Sequence, residues 1–142
     1  MVNPSFWQGK RVLVTGHTGF KGSWLSLWLN LMGAEVRGFA LHPPTSPSLY
    51  DLAGISQDLT GTSGVGRDFS AVQQVLLTRR PEIVLYLAAQ ALVRHSYADP
   101  VETYATNVLG TVHLLEAVRQ AESVRAVVIV SSDKCYDNRE WV

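Results

Sequence analysis

The sequence of 142 residues contains a single cysteine, Cys135, so it cannot form an internal disulfide. It lacks any apolar run near the roughly 20 residues that a membrane span requires. Its first four residues, Met1 to Pro4, lack the basic and apolar regions of a signal peptide. The four histidines show no ligand spacing with Cys135 or with one another, which argues against a structural metal site. Together these absences predict a cytoplasmic protein without a metal.

An excess of charge of either sign is also missing. Twelve basic residues balance twelve acidic ones, so there is no electrostatic case for binding nucleic acid or an anionic membrane surface. The composition, 46% hydrophobic and 17% charged, is that of an ordinary globular protein. No internal repeat or linker is visible, and we expect one domain over residues 1–142.

Three glycines, Gly16, Gly19 and Gly22, follow an apolar strand around Val12–Val14 at a regular spacing. A strand that runs through a glycine-rich turn into a helix can hold a dinucleotide pyrophosphate on backbone N–H groups. The G-x-x-G-x-x-G spacing favours the short-chain dehydrogenase branch of this fold. A P-loop is excluded, because Lys21 precedes Gly22 instead of following a glycine. The alternative is that three glycines merely cluster in a surface turn.

The helix after these glycines is apolar on most of its circumference between Trp24 and Met32, with Gly33 placed to cap its end. Such a helix is expected to be buried against a sheet. Its tryptophans, Trp24 and Trp28, are therefore predicted to lie in the core.

The remaining sequence alternates between strand and helix signals. Three further strands are predicted at Glu35–Leu41, Ile83–Ala89 and Ala126–Val130, and a fourth within Gly61–Gly66. Helices are predicted after Asp68, ending before Pro81, and from Asp99-Pro100 to about Gln120, on an apolar face formed by Val101, Tyr104, Ala105, Val108, Val112, Leu115 and Val118. The expected connections are a proline-rich loop at His42–Pro47, a helical turn at Leu49–Ile55 and a loop at Gln90–Ala98.

This alternation predicts an α/β fold, a Rossmann-like doubly wound parallel sheet with helices on both faces. Ligands of such sheets bind at the carboxyl ends of the strands, where the strand order reverses. The segments Gly16–Gly22, His42–Pro47, Leu87–Gln90 and Ser131–Tyr136 all follow predicted strands. We therefore expect them to face one crevice.

Four segments resemble a known family. They are TGHTGFKGSWL at Thr15–Leu25, FALHPPTSPSLYDLAGI at Phe39–Ile55, LAAQALVRHSYADPVETYATNVLGTVHLLEAVR at Leu87–Arg119 and SSDKCYDNREW at Ser131–Trp141. They look like the CDP-glucose 4,6-dehydratases, which are extended short-chain dehydrogenase/reductases. Members of that family are more than twice as long, so the resemblance implies an amino-terminal portion with a truncated sheet.

The resemblance implies a reaction on a nucleotide sugar, CDP-glucose, with NAD as the cofactor. The family oxidises C4 of the glucose, eliminates water across C5 and C6, and returns the hydride to C6, giving CDP-4-keto-6-deoxyglucose. A ketone at C4 acidifies the C5 proton, so a modest base can remove it while an acid protonates the departing hydroxyl. The resemblance also allows a homo-oligomer, with no indication of its interface.

Three catalytic residues are implied in the last segment. Ser132 matches the hydroxyl residue beside the 4-hydroxyl of the sugar, and Asp133 matches the acid that protonates the C6 hydroxyl. Lys134 stands where most sugar-nucleotide dehydratases have a glutamate base, and a lysine there resembles the CDP-glucose branch. Such a lysine must be neutral to accept a proton, which burial or nearby positive charge favours. Without the resemblance, the alternatives are a turn at Ser132 and Asp133 and a solvated charge at Lys134.

Residues that bind the cofactor and the substrate are implied in the same way. The pyrophosphate loop matches at Gly16, Gly19, Phe20, Lys21 and Gly22, and the strand end along the nicotinamide matches at Leu87, Ala88 and Ala89. His42 follows the second strand, near the expected adenosine. Asn107 matches a family asparagine, the alternative being a polar residue on a helix face. Gln90, Arg94 and Ser96 border the substrate in relatives, although an exposed arginine is commonly only a solubilising charge.

The sequence departs from the family pattern at three points. No Asp or Glu beside His42 can accept hydrogen bonds from an adenosine ribose, and no adjacent Arg can bind a 2′-phosphate. Val65 replaces an acidic residue that many relatives carry near the adenine. The superfamily's Tyr-x-x-x-Lys pair is missing from all 142 residues. We therefore predict that the chain alone is inactive.

Three interpretations remain open from the sequence. The first is the dinucleotide-binding half of a CDP-glucose 4,6-dehydratase. The second is another extended family member, such as an epimerase or a different sugar-nucleotide dehydratase, against which Lys134 argues. The third is a non-catalytic dinucleotide-binding module that a partner senses.

Overall fold

A computed structural model of the chain describes residues 2–132 and 136–137. Five parallel strands form one sheet in the order β3-β2-β1-β4-β5. Their bounds are β1 Arg11–Thr15, β2 Glu35–Ala40, β3 Thr60–Ser63, β4 Ile83–Tyr86 and β5 Ala126–Ile129. The strand order reverses between β1 and β4, so the predicted doubly wound parallel sheet is confirmed, including its weakly patterned third strand.

Helices connect the strands on both faces of the sheet. Their bounds are α1 Pro4–Trp7, α2 Phe20–Leu31, α3 Leu49–Leu52, α4 Ile55–Asp58, α5 Phe69–Arg79, α6 Val93–Ala98, α7 Pro100–Tyr104 and α8 Gly110–Arg119. A π-helical turn, Ala105–Leu109, joins α7 to α8. No helix in the described ranges is long and apolar enough to cross a membrane.

The predicted helix signals act through the contacts expected of them. The Asp68 carboxylate accepts a hydrogen bond from the Ala71 N–H at the start of α5, and Asp99 accepts one from the Glu102 N–H at the start of α7. Gly33 follows α2 with a φ of 81°, a left-handed conformation that favours glycine. Polar caps and a terminal glycine therefore set these helix ends as the sequence predicts.

Two hydrophobic clusters cover the two faces of the sheet, and β1 contributes to both. Val12 and Val14 point into the cluster on the α2 side, together with Leu29. Leu13 points into the opposite cluster beneath α5 and α8, together with Leu114. Because successive residues of a strand alternate between faces, a fully apolar β1 requires cover on both sides. That double cover places the carboxyl end of β1 at the centre of the molecule.

The prediction for the two tryptophans of α2 is wrong. Trp24 and Trp28 are 52% and 51% exposed. The buried positions of α2 include Ser23, Ser26 and Leu29, which form the narrow side that faces the sheet. A helix that is apolar around its circumference does not reveal which side is packed, and here small residues occupy the packed side.

The segment after β4 also differs from its prediction. The expected loop at Gln90–Ala98 contains the helix α6, and the expected long helix is interrupted by the π-helical turn. Of its predicted apolar face, Val101 and Tyr104 are exposed, whereas Leu114 and Ala117 of α8 pack against the sheet. Apolar residues occur on two sides of this helix. Most of the predicted face is the outer side, whereas Val118, its last residue, packs against the core.

Candidate functional site

A cavity of about 260 Å³ lies across the carboxyl ends of β1, β2 and β4, where the strand order reverses. It is the position at which doubly wound sheets bind ligands. Six of the residues predicted to bind the cofactor line it, namely Gly16, Gly19, His42, Leu87, Ala88 and Ala89. Three of the four predicted segments thus meet at one crevice.

The first and third glycines of the motif allow the turn to pack closely against its neighbours. Gly16 has a φ of 67°, and a Cβ atom there would lie 3.0 Å from the Ala88 nitrogen. A Cβ atom at Gly22 would overlap the Gly16 carbonyl and lie 2.8 Å from the His17 Cα. The turn therefore touches both the end of β4 and the first turn of α2 through backbone alone.

The amino terminus of α2 is available to bind an anion. Gly19 is its N-cap, and no side chain within the described ranges caps its first turn. That turn contains no acidic residue, while Phe20 and Lys21 are exposed. Uncapped N–H groups and the helix dipole favour negative charge, and the Lys21 ammonium adds to this potential. A dinucleotide pyrophosphate fits this terminus.

Thr15, at the end of β1, joins the two strands on either side of the reversal. Its buried Oγ1 accepts hydrogen bonds from the Leu87 and Ala88 N–H groups, both at 3.1 Å. On the other side, the Gly16 N–H donates to the Phe39 carbonyl at 3.0 Å. The floor of the cavity is thereby fixed to both neighbouring strands. Sequence reasoning missed this role, although a hydroxyl at the last position of a buried strand is a detectable signal.

His17, inside the glycine turn, is 3% exposed and packs on glycines of two strands. A Cβ atom at Gly38 would lie 2.5 Å from its ring and one at Gly61 would lie 3.0 Å from its Nε2. The ring also makes an edge contact with Tyr50, with centroids 5.5 Å apart. Burial lowers the pKa of His17 below its ordinary value of 6.5, and the Phe39 backbone offsets part of this change.

Tyr86, the last residue of β4, packs beneath the opposite side of the cavity. Its hydroxyl oxygen would lie 2.7 Å from a Cβ atom at Gly110 and 3.2 Å from one at Gly66. Burial raises the pKa of Tyr86 above 10, an effect that the Thr111 hydroxyl partly opposes. Two glycines thus let α8 and the segment after β3 close over this side chain.

Asn107 holds the segment that follows β4. Its Oδ1 accepts a hydrogen bond from the Gln90 N–H at 2.8 Å, and its Nδ2 donates to the Gln90 carbonyl at 3.0 Å. Asn107 lies in the π-helical turn, a feature often found at functional sites. The Gln90 side chain bonds to the Leu92 backbone within its own segment and donates to the Thr103 hydroxyl of α7 at 3.1 Å. Asn107 is therefore placed as a positioning residue.

The residues predicted to border the substrate are not brought into the cavity. Arg94 is exposed on α6, and the Ser96 hydroxyl donates to the Val93 carbonyl at 2.6 Å. Nearby, the Glu102 carboxylate lies 2.7 Å from His95 Nε2 and 3.7 Å from Arg67. Ser132 is exposed beyond the end of β5, whereas Asp133 and Lys134 lie outside the described residues.

Sequence reasoning missed several residues of the cavity wall. They include Leu41, which follows β2, Gly64 and Gly66, which follow β3, and Thr106 in the π-helical turn. Thr18 and Pro44 also line the cavity, and they lie within the predicted segments Gly16–Gly22 and His42–Pro47. Val65, singled out for its missing acidic group, is also part of the wall. The residues that follow β2 and β3 could have been predicted to line the cavity, because each lies at the end of a predicted strand.

Similarity to known sequences covers almost the whole chain. Residues 13–140 match the sequence model of the family described as GDP-mannose 4,6 dehydratase. The chain is 58% identical over its full length to the CDP-glucose 4,6-dehydratase of Salmonella typhimurium, of which it covers 40%. It is 35% identical over 134 residues to the UDP-glucose 4-epimerase of Mycolicibacterium smegmatis, covering 38% of that protein. The chain thus spans about two fifths of the length of these relatives.

Solved structures show the same fold. A UDP-glucose-4-epimerase from Stenotrophomonas maltophila, with bound NAD and formylated UDP-arabinopyranose, matches with a TM-score of 0.80 and 25% identity, over 93% of this chain and 40% of that one. The NAD complex of the Thermus thermophilus UDP-glucose 4-epimerase matches with a TM-score of 0.71 and 33% identity, over 82% and 36%.

Proposed function

The chain belongs to the GDP-mannose 4,6 dehydratase family, and from that premise we propose that it supplies the cofactor-binding half of a NAD-dependent CDP-glucose 4,6-dehydratase. The observation that carries this proposal is the 58% identity to a CDP-glucose 4,6-dehydratase over the full length of the chain. Identities to epimerases are lower, at 35% or below in the examples above. This difference favours the dehydratase over an epimerase.

The cavity supports a dinucleotide as the ligand. The uncapped first turn of α2 offers N–H groups to a pyrophosphate, and the small Gly19 permits close approach. Leu87, Ala88 and Ala89 continue from β4 along the cavity, where the nicotinamide half would lie. When bound, NAD supplies the reversible oxidation of the sugar. Two of the similar structures are described as NAD complexes.

The residues of the chain would hold and orient the reactants. Thr15 fixes the end of β4 against β1, and Asn107 fixes the backbone of Gln90 beside it. Ser132, exposed beyond β5, is proposed to hydrogen-bond the 4-hydroxyl of the sugar. Asp133 is proposed to protonate the departing C6 hydroxyl, and Lys134 to accept the C5 proton in its neutral form. These three roles rest on the resemblance.

A second candidate is a dinucleotide-binding module without catalysis, which needs the cavity and the uncapped terminus of α2 but no Tyr-x-x-x-Lys pair. Both candidates predict that NAD binds to the chain and that the isolated chain makes no product from CDP-glucose. The two candidates predict different coding sequences after the codon for Val142. A Tyr-x-x-x-Lys encoded within about 20 to 30 residues supports the enzyme, and a stop codon supports the module.

Thermal unfolding with and without NAD tests the shared claim. A ligand that binds only the folded state must raise the unfolding midpoint, and the shift must grow with concentration. We expect NAD to raise the midpoint and CDP-glucose alone to leave it unchanged. An unchanged midpoint at saturating NAD would contradict the cofactor site, and product formed by the isolated chain would contradict its predicted inactivity.

A further inference from the structure

The end of β2 that faces the cavity carries no carboxylate, and we infer that this chain binds NADP about as tightly as NAD. The inference rests on the proposed dinucleotide site and concerns only the adenosine end of it. Sites that select NAD place an acidic side chain there, which hydrogen-bonds the ribose 2′-hydroxyl and repels a 2′-phosphate. Here the strand ends in Ala40, followed by Leu41 and His42.

Three acidic residues whose side chains the structure describes, Glu35, Asp51 and Asp68, are placed or engaged elsewhere. Glu35 lies at the opposite, amino-terminal end of β2, in register with Arg11. Asp51 accepts a hydrogen bond from the Ser48 hydroxyl at 2.6 Å. Asp68 caps α5. Among the side chains that the structure describes, no carboxylate lines the dinucleotide cavity, so a 2′-phosphate would meet no like charge there.

A second hollow of about 300 Å³ extends the cavity at this point. The two share Thr18, Ala40, Leu41 and His42, so they adjoin at the end of β2. A substituent on a ribose at the strand end would therefore project into space instead of into protein.

The lining of this hollow suits a phosphate group. It offers the hydroxyl groups of Tyr50, Ser56 and Thr62 and the imidazole of His42, whereas the Thr18 hydroxyl donates to the Leu41 carbonyl at 2.9 Å. The side chains described in its lining include no acidic one. Hydroxyl and imidazole groups can donate hydrogen bonds to phosphate oxygens. No arginine lines it either among these residues, so the site has neither of the groups that usually decide between the two cofactors.

Direct titration of the 142-residue chain with NADH and with NADPH, followed by nicotinamide fluorescence, tests the inference. We expect dissociation constants within about tenfold of each other, because no charge discriminates between them. The substitution Leu41→Asp adds the missing carboxylate at an exposed position. It should weaken NADPH binding by about tenfold or more relative to Leu41→Asn, and change NADH binding much less.

The outcomes separate this inference from the proposed function. Binding of NADH with NADPH more than about tenfold weaker overturns the inference and leaves the dinucleotide site intact. Failure of both to bind a chain that circular dichroism shows to be folded overturns the proposed function. Equal weakening of both cofactors by Leu41→Asp also overturns the inference. If that variant does not fold, the exposed pair His42→Asp and His42→Asn makes the same comparison.

Discussion

The glycine turn at Gly16–Gly22 and the segment at Gln90–Ala98 follow neighbouring strands of one sheet, yet they are held in opposite ways. The turn is packed backbone against backbone, with no room for a Cβ atom at Gly22. The segment is mostly exposed, and Asn107 binds its first residue through two hydrogen bonds. The comparison indicates that the turn, the proposed cofactor side, is rigid and preformed, whereas the segment, the proposed substrate side, depends on a few polar side chains.

The largest effect is expected from filling the turn. Gly22→Ala would push a methyl group into the Gly16 carbonyl, and backbone cannot move aside as a flexible side chain can. We expect a loss of about 3 kcal/mol or more in the free energy of unfolding, with loss of NADH binding. Urea denaturation and NADH titration measure the two effects.

Gly9→Ala is the matched control, because a Cβ atom there meets nothing within 4 Å. Its φ of 70° adds only the backbone strain of a left-handed residue, about 1 kcal/mol. Equal losses from the two variants would mean that the turn is no more tightly packed than an open loop.

The second largest loss of stability is expected from breaking the hydrogen bonds that hold the segment Gln90–Ala98. Asn107→Ala removes both hydrogen bonds to the Gln90 backbone, and we expect a loss of about 2 kcal/mol, since partly buried polar groups are left unpaired. NADH affinity should fall far less than in Gly22→Ala. The same substitution at the exposed Asn30 should change stability by less than about 0.5 kcal/mol. Similar losses at both positions would remove Asn107 from its positioning role.

A smaller loss of stability is expected at Thr15, which joins the end of β1 to the residues that follow β4. Thr15→Val keeps the shape of the side chain but removes the oxygen that accepts from Leu87 and Ala88. We expect a loss of about 1–2 kcal/mol in the free energy of unfolding, and Thr15→Ser should recover most of it. Chemical denaturation of the three proteins provides the test. If serine does not rescue, the loss comes from packing and not from the hydroxyl.

The smallest effect concerns the pH dependence of the turn. Burial lowers the pKa of His17, so the unfolded chain binds a proton more readily than the folded one. Stability should therefore be complete above pH 6.5, the ordinary value, and fall as the pH drops below it. His17→Gln should flatten this fall. Denaturation midpoints of the unsubstituted chain and of this variant, measured between neutral and mildly acidic pH, would show the difference, and parallel curves would contradict it.

The cofactor side could be predicted from the sequence because local rules determine it. An apolar strand, spaced glycines and capping residues such as Asp68 act over a few residues, and the structure confirms the strand, turn and helix that they predict. The roles of Thr15 and His17 were not predicted, because these residues contact β4 and β2, whose residues lie far away in the sequence.

The substrate side was predicted less well for a physical reason. Helix periodicity shows that an apolar face exists, but it does not show which of two apolar faces packs against the sheet. Tyr104, on the face predicted to be buried, is exposed, and Leu114, on the other apolar face, is buried. The hydrogen bond between Asn107 and Gln90 joins residues 17 positions apart, so no local sequence pattern predicts it. The catalytic roles of Ser132, Asp133 and Lys134 remain predictions from the resemblance.

Amide hydrogen exchange with and without NADH tests the central claim, that the glycine turn holds the dinucleotide on the uncapped backbone N–H groups at the amino terminus of α2. We predict slower exchange at residues 19–22 when NADH is bound, with no change on the exposed face of α7 around Val101 and Tyr104. Binding of NADH without protection at residues 19–22, or with protection mainly at α7, would contradict the account.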